Sequence, residues 1–250
     1  MLVDVHAHLE FEQFDKDRDE VIERAKKAGV VAIINSGINK RRIELTLQML
    51  KKYDIMKASL GIYPTEQTMM TEKEVEEILE TIRKNKKNIV AIGEVGLDFL
   101  EQEDTKEEQK KNLLNMIDFA EELKLPMIIH SRKAEQECIE ILETSKQRKI
   151  MMHCFSGSKK LIKRCEKNGW MFSIPTNITF SEHFQMMAKE VSMSQIMTET
   201  DAPFLPPVKG ERNEPANVRY TIKKIAELKK LDEEEVEKMV YSNYQKFFLK

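Results

Sequence analysis

Short apolar runs alternate with amphipathic segments along the whole chain, and this alternation limits the folds it can adopt. Residues 30–35 form a nearly continuous apolar run, which is typical of a strand buried on both faces of a parallel sheet. Residues 15–28 and 39–52, on either side, place apolar side chains at helical spacing. About eight such strands can be counted, at residues 3–8, 30–35, 55–60, 89–92, 127–130, 149–153, 170–174 and 195–200. Eight strand–helix units predict an α/β fold, a (β/α)8 TIM barrel formed by a single domain over residues 1–250.

Composition and missing motifs exclude several other classes. An open doubly wound sheet would carry a glycine-rich phosphate loop, and neither Gly-x-Gly-x-x-Gly nor a Walker sequence occurs. The net charge of −2 gives the whole chain no electrostatic attraction for nucleic acid. Three cysteines without a Cys-x-x-Cys pair argue against a disulfide framework and a structural zinc site. Because no apolar run approaches the ~20 residues of a membrane helix and no signal-like segment occurs, we expect a cytoplasmic protein with no membrane partner.

Potential metal ligands stand where the predicted strands end. His6 and His8 form a His-x-His pair at the end of the first strand, where residues two apart project from one face. The complete set comprises four histidines and two acids: His6, His8, Glu94, His130, His153 and Asp201. In a TIM barrel the carboxyl ends of all strands meet at one rim, so we expect these side chains to share one pocket.

Six ligands exceed what a single four- or five-coordinate ion uses, which indicates two divalent ions with a shared bridging group. Glu94 is the expected bridge, because a carboxylate has two oxygens and its strand lies mid-barrel. The two glycines of residues 93–98 predict a tight loop that holds Glu94 at the carboxyl end of that strand. The expected division assigns His6, His8 and Asp201 to one ion, and His130 and His153 to the other. Imidazole ligands favour Zn, Ni, Mn or Fe, and Mg is the harder ion that fits them less well.

Five ordered motifs carry a family resemblance that covers nearly the whole chain. They are residues 4–9 (DVHAHL), 93–98 (GEVGLD), 126–132 (PMIIHSR), 153–157 (HCFSG), and 199–203 (ETDAP) together with 212–215 (RNEP). In combination they resemble the TatD-type metal-dependent deoxyribonucleases of the amidohydrolase superfamily. The resemblance implies a TIM barrel with a two-metal hydrolase site at the six positions named above. It also implies hydrolysis of DNA phosphodiesters from the 3′ end.

The sequence departs from the family pattern at three positions. The family usually has Gly-x-His-Pro after the third strand, whereas this chain has Tyr63 in place of the histidine. We expect Tyr63 to lie beside the substrate. Lys133 replaces the usual acid after Ser-Arg, and Glu10 stands where aspartate is usual. None of these changes removes a ligand.

Three residues just beyond strands five and eight are expected to contact substrate. Arg132, Arg212 and Asn213 lie in loops where a metal-held phosphate would meet their donors. An alternative for Arg212 is that it orders the loop at 203–215 by pairing with an acid. Asp201 is the candidate general base, because a carboxylate can both touch a metal and accept a proton.

Three hypotheses on function follow. The first is a two-metal phosphodiesterase, a deoxyribonuclease whose partner is single-stranded DNA or a strand end. The second keeps the site but makes it an ester or amide hydrolase, a deacylase, because activated water also attacks carbonyl carbon. The third is a catalytically idle barrel used for binding, which a complete ligand set disfavours. The motifs do not determine an oligomeric state, and a monomer is compatible with them.

Overall fold

The computed structural model describes residues 1–249 and contains the predicted barrel. Its eight parallel strands belong to one sheet and follow one another in chain order. The strands are β1 (Leu2–Ala7), β2 (Val30–Gly37), β3 (Met56–Leu60), β4 (Ala91–Asp98), β5 (Met127–Arg132), β6 (Ile150–Met152), β7 (Met171–Ile174) and β8 (Ile196–Thr198). The helices are α1 (Arg18–Lys27), α2 (Lys40–Lys52), α3 (Pro64–Gln67), α4 (Glu72–Lys84), α5 (Lys106–Leu123), α6 (Glu135–Thr144), α7 (Lys159–Lys167), α8 (Glu182–Glu190), α9 (Val218–Lys229) and α10 (Glu233–Phe248). The prediction of a TIM barrel is confirmed.

Contacts between β1 and the end of β8 close the barrel. Thr198 Oγ1 on β8 donates a hydrogen bond to the carbonyl oxygen of Val3 on β1, at 2.7 Å. Just beyond β8, the backbone N–H of Asp201 donates to the carbonyl oxygen of His6, at 2.9 Å. Closure of the barrel therefore holds Asp201 directly beside the histidines of β1.

Capping residues explain where several helices begin. At the start of α4, Thr71 and Glu74 form a capping box, in which each side chain accepts a hydrogen bond from the other residue's backbone N–H. Asp232 and Glu235 form a second capping box at the start of α10. The four-residue helix α3 was not predicted from the sequence, because so short a segment shows no helical period. Pro64 occupies its first position, where a missing N–H costs nothing.

Strand β4 is longer than the sequence predicts. We expected residues 93–98 to form a tight loop because of their two glycines, but the strand continues through them to Asp98. Pairing with β5 continues as well, with Val95 opposite Ile129 and Asp98 opposite Arg132. The glycines permit close approach of the two strands: a Cβ on Gly96 would lie 1.9 Å from the carbonyl oxygen of His130. Glu94 is therefore held within a paired strand rather than on a loop.

The apolar core leaves the strand ends as the place for a polar site. Side chains on both faces of the strands are buried, as Ile33, Ile34 and Ile128 show with no exposed surface. Helices contribute one apolar stripe each, such as Ile78 and Ile82 of α4. Among residues 1–249, no helix has both the length and the apolar character needed to cross a membrane.

Candidate active site

The predicted ligands come together at the carboxyl ends of the strands. His6 is the penultimate residue of β1, Glu94 lies within β4 and His130 within β5, and the other three follow β1, β6 and β8. A cavity of about 670 Å³ opens over this rim and is lined by five of the six, namely His8, Glu94, His130, His153 and Asp201. His6 lies beneath them with no exposed surface. Residues almost 200 positions apart in the sequence thus form one cluster.

Glu94 stands at the centre of the cluster and is 3% exposed. Its Oε2 lies 3.4 Å from His6 Nε2 and 3.5 Å from His8 Nε2. Its Oε1 lies 2.7 Å from His130 Nδ1 and 3.8 Å from His153 Nε2. The two carboxylate oxygens therefore face different pairs of histidines. Burial raises the pKa of Glu94, but hydrogen bonds from His130, His6 and His8 outweigh burial and hold it well below its ordinary value.

Two groups of donor atoms are close enough to hold an ion. One comprises His6, His8 and Asp201, and the other comprises His6, Glu94 and His153, with the donor atoms of each group within 4.8 Å of one another. The first group is the set assigned to one ion from the sequence. His6 belongs to both groups because its ring stacks on that of His153 at a centroid distance of 3.7 Å.

Asp98 orients the imidazole of His130. Its Oδ2 lies 3.2 Å from His130 Nε2 and accepts hydrogen bonds from Tyr63 Oη and Arg132 Nε, each at 2.8 Å. A carboxylate can only accept, so His130 donates to Asp98 through Nε2 and to Glu94 through Nδ1, and a metal ion bound at Nδ1 would take the place of the second proton. Burial raises the pKa of Asp98, but hydrogen bonds from His130 and Arg132 dominate and hold it far below its ordinary value.

Glu199 orients the imidazole of His153, as Asp98 orients that of His130. Its Oε2 lies 2.7 Å from His153 Nδ1 and accepts a hydrogen bond from Ser173 Oγ at 2.6 Å, while Oε1 accepts from the backbone N–H of Cys154 at 3.0 Å. Nδ1 therefore carries the proton, and Nε2 points toward Glu94. Burial lowers the pKa of His153, but the fully buried Glu199 carboxylate raises it to about 9. Glu199 was not among the predicted site residues, although its place two residues before Asp201 in a shared motif was the available signal.

Residues on β1 and β2 fix the His-x-His pair. Ser36 contacts both rings, with Oγ 3.1 Å from His6 Nδ1 and its carbonyl oxygen 3.1 Å from His8 Nδ1. Asp4 connects β1 to the Asp201 loop, because Asp4 Oδ1 accepts from the backbone N–H of Thr200 at 2.9 Å. Burial raises the pKa of Asp4 to about 8, although hydrogen bonds from Thr200 oppose the shift.

Asp201 combines access to the cavity with a raised pKa. Its side chain is 15% exposed, more than that of His6, His8 or Glu94. Burial raises its pKa to about 6, against the lowering effect of His153 and His8. Burial also lowers the pKa of His6 well below its ordinary value, with the charge of His153 acting in the same direction. A neutral His6 offers a lone pair, as a metal ligand must.

The structure separates the predicted substrate contacts into two groups. Tyr63 and Arg132 line the cavity. Arg212 is not among the described lining residues, and its guanidinium instead contacts Asp17 Oδ2 at 2.6 Å and the carbonyl oxygen of Gln13 at 2.6 Å. Asn213 is fully buried, and its side chain donates to the carbonyl oxygens of Thr200 and Phe204. These two residues hold the loop after β8 and do not reach the cavity.

A TIM barrel with buried imidazoles and carboxylates grouped around a central glutamate defines a metal-dependent hydrolase. Residues 3–249 match the model of the family described as TatD related DNase, and the chain belongs to this family.

Known proteins resemble the chain over most of its length. It is 38% identical over 246 residues to an uncharacterized metal-dependent hydrolase of Methanocaldococcus jannaschii, covering 98% of this chain and 96% of that one. It is 30% identical over 237 residues to a 3′-5′ ssDNA/RNA exonuclease TatD of Shigella flexneri, covering 90% of each. The crystal structure of a TatD homologue from Escherichia coli K12 superposes with a TM-score of 0.93 at 25% identity, covering 100% of this chain and 98% of that chain.

The donor set fits the divalent ions that such a hydrolase needs. Four imidazoles and two carboxylates converge, and their outward nitrogens are held by Ser36, Asp98 and Glu199. Metal-ligating histidines generally donate their second N–H to a carboxylate or carbonyl in this way.

Proposed function

We propose that this chain hydrolyses phosphodiester bonds of single-stranded DNA from the 3′ end, using two divalent ions. The observation that carries the proposal is the position of Glu94, whose two oxygens face different pairs of histidines beneath one cavity. The Shigella relative is named as a 3′-5′ exonuclease on single-stranded DNA and RNA, which supports this substrate and this direction. Arg132 in the same cavity gives a cation for a phosphate.

The first donor group and the two histidines that face Glu94 Oε1 supply the proposed ligands. His6, His8 and Asp201 would hold one ion, His130 and His153 would hold the other, and Glu94 would serve both. Mostly imidazole ligands favour Zn, Mn or Ni over Mg. When bound, the two ions would stabilise negative charge on the phosphate and lower the pKa of a water molecule.

The remaining roles belong to side chains around the cavity. Arg132 is anchored through Nε to Asp98 and through Nη2 to Glu101, so its guanidinium is held ready for a phosphate oxygen. Tyr63 keeps its hydroxyl proton, because burial and the nearby carboxylates of Glu94 and Asp98 raise its pKa far above neutrality. Tyr63 therefore acts as a neutral side chain beside the substrate and supports His130 through Asp98.

Asp201 acts as the general base in this scheme. It takes a proton from water as the water oxygen forms a bond to phosphorus. The bond between phosphorus and the 3′ oxygen of the preceding nucleotide breaks, and that oxygen takes up a proton. The products are a nucleoside 5′-monophosphate and a strand one nucleotide shorter with a new 3′ hydroxyl.

The proposal is tested with linear and circular single-stranded DNA of the same sequence, each incubated with Mn²⁺, Zn²⁺, Ni²⁺ or Mg²⁺. We expect stepwise shortening of the linear strand from its 3′ end and little cleavage of the circle. Equal cleavage of both forms would refute end-directed action. Cleavage of neither, together with turnover of esters or amides in a parallel panel, would assign the site to a deacylase.

Salt dependence tests how the strand is held. A pocket that contacts one or two phosphates releases few counterions, so KM should rise only weakly with salt. A net charge of −2 agrees with this expectation. A steep dependence would indicate a long basic groove instead.

A further inference from the structure

Phe204 exposes an aromatic ring at the mouth of the cavity. It lines the cavity, and 46% of its surface is accessible. It follows Asp201 by three residues, on the loop after β8. An exposed aromatic ring that lines a cavity is available to pack against a bound ligand.

The backbone around Phe204 is fixed from both sides. Its N–H donates to the carbonyl oxygen of Asp201 at 2.8 Å, and its carbonyl oxygen accepts from Asn213 Nδ2 at 2.7 Å. The same Asn213 amide donates to the carbonyl oxygen of Thr200 at 2.8 Å. Because these bonds join Phe204 to the residues around Asp201, its backbone is fixed relative to the candidate metal ligands.

An aromatic row connects Phe204 to the histidine cluster. The ring of Phe11 lies 5.0 Å from that of His8 and 5.8 Å from that of Phe204, which it meets at an interplanar angle of 85°. The guanidinium of Arg42 lies 3.5 Å from the centre of the Phe11 ring. Phe11 is therefore packed between neighbours, whereas the exposed ring of Phe204 remains open to the cavity.

The row and Arg132 occupy opposite sides of the barrel, while a second cation that lines the cavity, Arg42, lies against Phe11 within the row. Phe11 and Phe204 follow β1 and β8, which are neighbours, and Arg132 ends β5, four strands away from β1. A nucleotide has the same division, with an apolar aromatic base at one side and an anionic phosphate at the other. The cavity thus offers a separate surface to each part.

We propose that Phe204, supported by Phe11 and Arg42, is a platform on which an unpaired nucleobase of the bound strand stacks. This proposal rests on the proposed function and adds the recognition of the base to it. Stacking of this kind accepts every base, because each has a π face. It also favours single strands, since a base within a duplex is covered by its neighbours on both faces.

The test uses an oligodeoxynucleotide and a matched strand whose three 3′-terminal nucleotides lack bases. We expect wild-type KM to be roughly 10-fold higher on the base-free strand, which corresponds to the usual strength of base–aromatic stacking. Phe204→Ala should raise KM by a similar factor on the normal strand, leave KM on the base-free strand unchanged, and leave kcat nearly unchanged on both. Phe204→Trp should restore a low KM on the normal strand.

Phe180→Ala is the matched control, because Phe180 is 42% exposed but is not among the described residues that line the cavity. It should leave both KM values unchanged. An equal effect of Phe204→Ala on both strands, or no effect on either, would overturn the platform.

A wild-type chain that cleaves neither strand would count against the proposed nuclease activity rather than against stacking. Fluorescence anisotropy of the same two strands then decides. The platform is supported if the wild-type chain binds the normal strand more tightly than the base-free strand and this difference disappears in Phe204→Ala. Equal affinity of the wild-type chain for the two strands overturns it.

Discussion

The Nδ1 atom of His130 lies 2.7 Å from Oε1 of Glu94, and this contact turns one carboxylate oxygen away from the histidines of β1. The other oxygen, Oε2, faces His6 and His8. Residue 94 can take this position because β4 continues as a paired strand at the level of the rim. One short side chain thereby connects histidines from opposite parts of the barrel, which is the geometry that a bridging ligand requires.

Asp201→Asn tests the general base. Asparagine keeps the size of the side chain and one oxygen, but it takes up a proton far less readily. We expect kcat on single-stranded DNA to fall by roughly 10²-fold or more, the usual contribution of a general base, while at least one metal ion stays bound. Metal content and turnover are measured on the same preparation. Near-normal turnover with the metals retained would place the base elsewhere.

Glu199→Gln tests how His153 is oriented. The carboxylate accepts three hydrogen bonds, and an amide would turn its NH2 group against one of those donors. Changes of this kind weaken metal affinity by roughly 10- to 100-fold. Competition with a chelator measures the affinity. Glu190→Gln, which changes a surface acid that pairs with Lys159, is the control and should bind metal normally. Unaltered affinity in Glu199→Gln would show that His153 needs no such support.

Asp4→Asn tests the raised pKa of Asp4. In the folded chain Asp4 keeps its proton up to about pH 8, whereas its ordinary pKa is 3.8. At pH values between these two pKa values, unfolding therefore releases a proton from Asp4. The contribution of Asp4 to the free energy of unfolding consequently falls as pH rises, by at most about 1.4 kcal/mol per pH unit. Asparagine does not titrate, so the variant should gain stability relative to wild type from pH 5 to pH 8.

Urea unfolding of chelator-treated protein at several pH values measures this difference. If the free energy of unfolding changed with pH in the same way for wild type and Asp4→Asn, Asp4 would have to be ionised in the folded state.

A pair of arginine variants separates substrate contact from loop support. Arg132→Ala should raise KM for single-stranded DNA, because it removes a cation from the cavity. Arg212→Ala should leave KM unchanged and lower the free energy of unfolding by ~1 kcal/mol, the scale of a partly exposed ion pair, here with Asp17. Steady-state kinetics and urea unfolding distinguish the two. A higher KM in Arg212→Ala would restore the sequence-based prediction that Arg212 contacts phosphate.

The six candidate ligands could be predicted because they obey one topological rule. Five of them lie within three residues of the carboxyl end of a strand and Glu94 lies in the middle of β4, and barrel closure brings these positions together whatever their separation in sequence. His6 and Asp201 are 195 positions apart but are joined through a backbone hydrogen bond. The strand alternation that identified the fold was therefore sufficient to identify the cluster.

Features that depend on tertiary pairing could not be predicted. Glycines in residues 93–98 suggested a loop, because glycine permits turns and close strand packing equally well. The partner of Arg212 is Asp17, which is distant in the sequence and carries no local signal. Asp98 and Glu199 act by directing histidine nitrogens, and the direction of a ring becomes known only when its neighbours are in place.

The number of ions that the chain binds tests the bridging role of Glu94 most directly. Equilibrium dialysis against Mn²⁺, followed by elemental analysis, should give two ions per wild-type chain. Glu94→Ala should lose affinity for both, because the bridge serves both sites. Glu101→Ala is the matched control: this acid lines the same cavity and pairs with Arg132, but it lies outside the ligand cluster. It should retain two ions. Full occupancy by two ions in Glu94→Ala would contradict the bridging role on which the proposed function depends.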